Sequence, residues 1–201
     1  MTAMGGRKTG RGVPRWRWVL VVALALAETA RTQVMEVPLE QQIPLLLKTL
    51  SFDRGLRSRV GGHLVLGIVY QQRVRSSLQV KDRVVEIFGE TASRWIDSVT
   101  VQCVSIDLND PDDVAAAVRM RHVNLLYVAP LRASDMDAFV ASTRSMRVLT
   151  LTGVPEYVED GLAVGIGSRG EKPCILINLA SARLAGADFD SHLLNLARVI
   201  E

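Results

Sequence analysis

Between His63 and Gly153 the chain alternates repeatedly between a short apolar run and a segment of helical period. HLVLGIVYQ (63–71), SVTVQCVSID (98–107), VNLLYVAP (123–130) and RVLTLTG (147–153) are rich in branched and apolar residues, as buried strands are. Between the first two, SSLQVKDRVVEIFGE (76–90) places Leu78, Val85 and Phe88 near a period of 3.6, with Gly89 as a stop. DPDDVAAAVRM (110–120) has Asp110 as N-cap and Pro111 at the first helical position, and Asp112 and Asp113 complement the helix dipole. Ser134 is the expected cap of the next helix, DMDAFVASTRSM (135–146). Strands alternating with helices specify a parallel sheet covered on both faces. Right-handed crossovers then make it a doubly wound, Rossmann-like core.

Two segments flank this core. In QQIPLLLKTLSFDRGLRSR, Ile43, Leu46, Leu47 and Leu50 fall at helical spacing; Pro44 suits a first turn and Gly55 an end, so a helix is expected from about 41 to 54. Beyond Gly153, the apolar segments 162–167 and 174–179 have no helical stretch between them and pair most simply as an antiparallel hairpin. In DSHLLNLARVIE, Asp190 is an N-cap, and Leu193, Leu194, Ala197 and Ile200 form the stripe of a final helix. The fold class expected is therefore α/β: a doubly wound, mostly parallel sheet with a C-terminal antiparallel hairpin and a last helix.

The hairpin contains GIGSRG (165–170), which spells the G-x-G-x-x-G of dinucleotide-binding proteins. That motif works only where it follows a strand and opens a helix, so that a pyrophosphate meets the helix N-terminus. Here Pro173 and the branched run CILIN follow, and the first strand-to-helix turn, YQQRVRSS (70–77), has no glycine. The glycines read instead as a hairpin turn at Gly170 and a bulge or close backbone approach at Gly165 and Gly167. No cofactor is expected.

Charge is unevenly placed. Arg7, Lys8, Arg11, Arg15 and Arg17 precede the first acid, Glu28, and the remainder from Glu28 on holds 19 basic and 21 acidic residues, a net of −2. A near-neutral body offers no electrostatic case for nucleic acid. The basic start is followed by ten apolar residues, WVLVVALALA (18–27), ending in the A-x-A pattern Ala25-Leu26-Ala27. These are the parts of a secretory signal, and the run is shorter than the roughly 20 residues that span a bilayer. Residues 1–27 are read as a signal peptide, 28–39 as a linker and 40–201 as one domain working in the periplasm, without stable membrane insertion once the signal is removed. Retention of the segment as an anchor is the competing reading.

The inventory of chemistry is thin. His63, His122 and His192 are scattered without a metal-binding spacing, no G-x-S-x-G elbow occurs, and Asp112-Asp113 is explained by capping. Neither catalytic residues nor a metal site are expected. Two local features stand out. FDRGLRSR (52–59) sets three arginines and an aspartate before the first strand, and VPEYVEDG (154–161) is read as an acidic loop carrying Tyr157 after a strand's C-terminal end, where α/β folds place ligands. Phe52, Asp53, Arg54 and Tyr157 are the candidate interaction surface. A small-ligand site at the strand ends near Pro130 and Tyr157 is the alternative.

PLLLKTLSFDR, VLTLTGVPEYVEDGLAVGIG and ILINLASARLAGADFDSHLLNLARVI together resemble the YfiR-like family of small periplasmic proteins, over about residues 41 to 201. The resemblance implies a non-enzymatic regulator that binds and restrains an inner-membrane signalling protein: a diguanylate cyclase, which makes cyclic di-GMP and favours biofilm, or a sensor kinase. A homodimer is also compatible. The founding type carries more cysteines and uses disulfides, whereas this chain has Cys103 and Cys174 alone. With the second strand at one sheet edge and the hairpin near the other, several spacings of about 4.8 Å would separate them. A disulfide tolerates no more than about 7 Å between Cα atoms, so both cysteines are expected unbridged.

Overall fold

The structure, a computed structural model, describes residues 35–95, 99–110 and 114–200. The signal-peptide reading and most of the linker lie outside the described residues, as do Pro111, Asp112 and Asp113. The described residues all fall in one compact unit.

In chain order the elements are α1 (Leu39–Ser51), α2 (Leu56–Val60), β1 (His63–Tyr70), α3 (Arg75–Trp95), β2 (Thr100–Asp107), α4 (Val114–Met120), β3 (Leu125–Val128), α5 (Ala133–Met146), β4 (Leu149–Thr152), α6 (Pro155–Glu159), β5 (Val164–Arg169), β6 (Lys172–Asn178), α7 (Leu179–Leu184), α8 (Ser191–Leu196) and β7 (Arg198–Ile200). The described strands make one sheet in the order β2-β1-β3-β4-β5-β6-β7. Strands β1 to β5 run parallel in the 2-1-3-4-5 order of a doubly wound sheet, and β6 returns antiparallel against β5. The expected α/β class and its C-terminal hairpin are what the chain adopts.

Two apolar layers sandwich the sheet. On one face Ile43, Leu46, Leu47 and Leu50 of α1 and Val84, Ile87 and Phe88 of α3 pack over Leu64, Leu66, Ile68 and Tyr127. On the other, Val114 and Val118 of α4 and Met136, Phe139 and Val140 of α5 pack over Val65, Val69, Val104, Ile106 and Leu126. Val65 and Val69 thus face one layer while Leu64, Leu66 and Ile68 face the other, the period of two that a strand imposes.

Several boundaries differ from the sequence expectation. Helix α1 starts at Leu39, with Pro38 as N-cap, so Pro44 lies inside it rather than in the first turn. Burial of Ile43, Leu46, Leu47 and Leu50 around it offsets the missing backbone bond. It ends at Ser51, before Gly55. Helix α5 opens at Ala133 with Arg132 in the cap position, one turn-fraction earlier than a Ser134 cap allows. The 154–161 segment is no open loop: Pro155 occupies the first turn of α6. The final helix stops at Leu196, and Val199 and Ile200 form a strand against Ile177 and Asn178 instead of continuing its stripe. Branched residues beside a free sheet edge favour that exchange.

The glycines of GIGSRG are explained by packing. Gly170 has φ +64 in a two-residue turn, a conformation that favours glycine. A Cβ on Gly165 would stand 2.5 Å from Val158 Cγ2, and one on Gly167 3.1 Å from Pro155. These two glycines let α6 lie directly on β5. Pairing of β5 with β6 is continuous from Val164–Ile177 to Arg169–Lys172, so close approach rather than a bulge is their role. Pro173 sits in the part of β6 beyond the β7 pairing at 176–178, where a missing N–H costs no ladder bond on that side.

Candidate interaction surface

The turn between α1 and α2 and the segment before α8 meet as a clasp. The Arg54 N–H donates to the Asp188 carbonyl at 3.0 Å and the Asp190 N–H to the Phe52 carbonyl at 3.1 Å. Between these rungs Asp53 and Phe189 form an isolated antiparallel bridge. The Asp53 carboxylate is buried and fully used. It accepts the Gly55 N–H (3.0 Å) and the Asp188 N–H (2.9 Å), and it pairs with the Arg59 guanidinium. Arg59 also donates to the Gly186 carbonyl at 2.7 Å. Gly55 in FDRG permits this turn: a Cβ there would stand 2.8 Å from the Gly186 carbonyl oxygen.

Above this buried knot lies a layer of exposed and half-buried side chains. Arg54, 62% exposed, donates to Asp190 at 2.7 Å and stands 4.0 Å from Asp188. The hydrogen bond to Asp190 raises the Arg54 pKa, and the same bond, with the His192 N–H, holds the Asp190 carboxyl below its usual range. Asp190 caps α8 through His192 N at 2.7 Å, as its position in the sequence indicates. The rings of Phe52 and His192 lie 6.5 Å apart and tilted. Phe52, Arg54, Asp188, Asp190 and His192 thus make a small surface of one aromatic pair and one charge cluster, stiffened from beneath by Asp53.

Tyr157 is not part of it. It is 1% exposed and belongs to the opposite apolar layer. Its hydroxyl accepts the Leu131 N–H at 2.8 Å and donates to the Leu131 carbonyl at 3.2 Å. Burial pushes its pKa up to about 12. The sequence groups Tyr157 with a surface; the fold uses it to tie α6 to the loop after β3. Asp53 is likewise a buried support, which leaves Phe52 and Arg54 as the members of the candidate set able to meet a partner.

Near Pro130, where the strand-end crevice is expected, buried polar contacts tie the strand ends to the helix that follows. The topology reverses between β1 and β3, and there the buried Gln71 donates to Asp135 at 2.6 Å and accepts the Arg132 N–H at 2.8 Å. A shallow cavity of about 80 Å³ lies elsewhere, between β2 and α4. Among the described residues no three His, Cys, Asp or Glu side chains converge as a metal site requires. No described helix is long and apolar enough to cross a membrane. Cys103 lies on β2 and Cys174 on β6, five strand spacings apart, and both are free.

The sequence profile of the family described as YfiR/HmsC-like matches residues 64–198. No curated protein matches the chain. Among solved structures, a conserved domain protein from Vibrio cholerae O1 biovar El Tor is similar at 14% identity with a TM-score of 0.56, over 82% of this chain and 60% of that one. The ABC domain from Streptococcus pneumonia in complex with L-Trp is similar at 17% identity with a TM-score of 0.54, over 80% of this chain and 61% of that one. The chain therefore spans about three fifths of the length of each of these structures, and at such identities the likeness is one of fold.

Proposed function

We propose a function from one established premise: the chain belongs to the YfiR/HmsC-like family. It is a non-enzymatic regulatory protein. It acts in the periplasm, where it binds the outward-facing part of an inner-membrane signalling protein, a diguanylate cyclase, and holds it inactive. The family match over residues 64–198 is the observation that carries this reading. The clasp supports it by holding Arg54 and the half-buried Phe52 beside His192 on a stiffened surface, arginine and aromatic residues being the types enriched where proteins meet.

Deleting the gene tests the reading: cyclic di-GMP and surface attachment rise in the host and return to normal when the intact gene is restored. Unchanged cyclic di-GMP in the deletion strain would overturn the assignment to a diguanylate cyclase.

A second reading has one observation in its favour. The chain shares its fold with the ABC domain from Streptococcus pneumonia in complex with L-Trp. On that reading the protein is a small-ligand binder serving a sensor kinase or transport system. A thermal-shift screen with amino acids and cell-wall fragments separates the two, since only the second reading expects a rise in Tm.

A further inference from the structure

Strands β1, β3 and β4 run parallel, so the segments that lead into them reach the sheet at one end. These segments are α2 with its flanking turns, the turn after α4 and the turn after α5. Strand β6 runs the other way and delivers α7 to the same end, where Asn178 N donates to Ala163 O at 2.8 Å. Two contacts join the segments into one surface. Arg59 donates to the Gly186 carbonyl at 2.7 Å. A depression is lined jointly by Thr143, Arg144 and Arg147 from the α5 end and by Ser181, Leu184 and Ala185 from the α7 end.

Charge at this end is one-sided. The stretches 54–63, 119–124, 142–150 and 181–187 carry eight arginines and no acid. Arg54 and Arg59 are held in the clasp, and Arg121 lines the cavity beside β2. Arg57, Arg119, Arg144, Arg147 and Arg183 are exposed and enter no ion pair with a described residue. The bordering acids are engaged elsewhere: Asp188 and Asp190 face Arg54, Glu159 pairs with Arg198, and Asp160 has an interaction of its own.

Helix ends alone do not account for these cations. A base in a last turn complements the helix dipole, which serves for Arg144. Arg147 lies one residue past the helix with φ +53, where glycine is usual, and His122, before the neighbouring strand, has φ +53 as well. Gly161, with φ +124, lets the Arg144 guanidinium lie against the main chain: a Cβ there would stand 3.3 Å from Arg144 Nη2. Leu184, 48% exposed, opens on the same depression.

We propose that this end of the sheet docks, peripherally and reversibly, on the surface of an anionic phospholipid bilayer. Unpaired guanidiniums meet lipid phosphates, and Leu184 enters the headgroup layer beside Arg144 and Arg147. A bilayer suits these groups better than a protein partner. None of the five arginines is fixed by a carboxylate, and no acid among them supplies the opposite charge that sets register between two proteins. An array of equivalent phosphates needs neither.

Flotation with vesicles of phosphatidylcholine, alone or mixed with phosphatidylglycerol, tests this. Residues 28–201 are used, because the basic and apolar start of the chain would bind mixed vesicles without help; the described residues form one compact unit apart from it. The expected result is binding to mixed vesicles at low salt, none to phosphatidylcholine, and loss as salt rises. An arginine at such a surface contributes about fivefold, so Arg144→Gln/Arg147→Gln is expected to bind about 25-fold more weakly. Arg73→Gln/Arg75→Gln removes the same charge from exposed positions at the opposite end, between β1 and α3, and is expected to bind like the wild type. Circular dichroism checks that each variant folds; should the first double variant fail, Arg57→Gln/Arg183→Gln replaces it. Absence of binding to mixed vesicles at low salt would overturn the proposal, as would equal losses in the two double variants. Binding to soluble polyglutamate as tight as to the vesicles would also overturn it, in favour of an acidic protein partner.

Discussion

The main-chain N–H of Asp188 donates to the Asp53 carboxylate at 2.9 Å, joining residues 135 positions apart in sequence. The side chain of Asp53 has no exposure, and that of its cation Arg59 is 19% exposed. Removing one member of a buried, hydrogen-bonded ion pair leaves the other uncompensated, at about 3–5 kcal/mol. Asp53→Ala is therefore expected to lower stability by about 3 kcal/mol, measured by urea denaturation. The uncharged Asp53→Asn keeps an acceptor and is expected to cost less.

Arg54 and Asp190 form the exposed counterpart. The folded Asp190 pKa lies below its ordinary 3.8. A lowered carboxyl pKa contributes stability that is present above the unfolded value and is lost as pH falls through the folded one. The Tm difference between wild type and Arg54→Ala is thus expected to be small and constant at neutral pH and to shrink as pH falls below 3.8 and through the lowered folded value. The same variant is expected to fold normally and yet fail to lower cyclic di-GMP when it replaces the wild-type gene.

Gly165 gives a packing test. Its Cβ would stand 2.5 Å from Val158, so Gly165→Ala must push α6 off β5 and is expected to cost about 1–3 kcal/mol. Val158→Ala in the same chain removes the obstructing methyl groups, so the double variant is expected to lose less than the sum of the two single changes. Thermal denaturation of the four proteins measures the difference.

Tyr157→Phe strips the hydroxyl from the Leu131 main chain and leaves a buried N–H without its acceptor. The expected cost is about 1–3 kcal/mol. Hydrogen exchange at the Leu131 amide should accelerate more than exchange at amides in β1.

The sheet was legible because its signals are local. Alternating apolar runs, Asp190 before a helix, and Gly170 in a hairpin turn each announce themselves within a few residues. The start of helix α1 is not legible, because a proline is common in a first turn and only the tertiary burial around Pro44 makes it tolerable inside. The strand at Arg198–Ile200 was hidden because Leu193, Leu194, Ala197 and Ile200 also fit a helical stripe; what decides is the edge of β6, which a one-dimensional pattern does not contain. In the candidate surface, FDRG stood out by composition. Its partner Asp190 is legible as a helix cap, but no local rule pairs Asp188 or Asp190 with an arginine so far away. Tyr157, in an acidic segment, reads as solvent-facing until a buried carbonyl and N–H are found for its hydroxyl.

The clasp also fixes an order of events. Closing a loop of about 135 residues costs on the order of 4 kcal/mol in chain entropy, more than the two main-chain rungs alone return. The rungs at Phe52–Asp190 and Arg54–Asp188 therefore close late, once the sheet has already brought the first helix and the last together. Phe52, Arg54 and His192 come into register only in a finished molecule, so a partner that reads them is shielded from half-folded chains without any separate proofreading step.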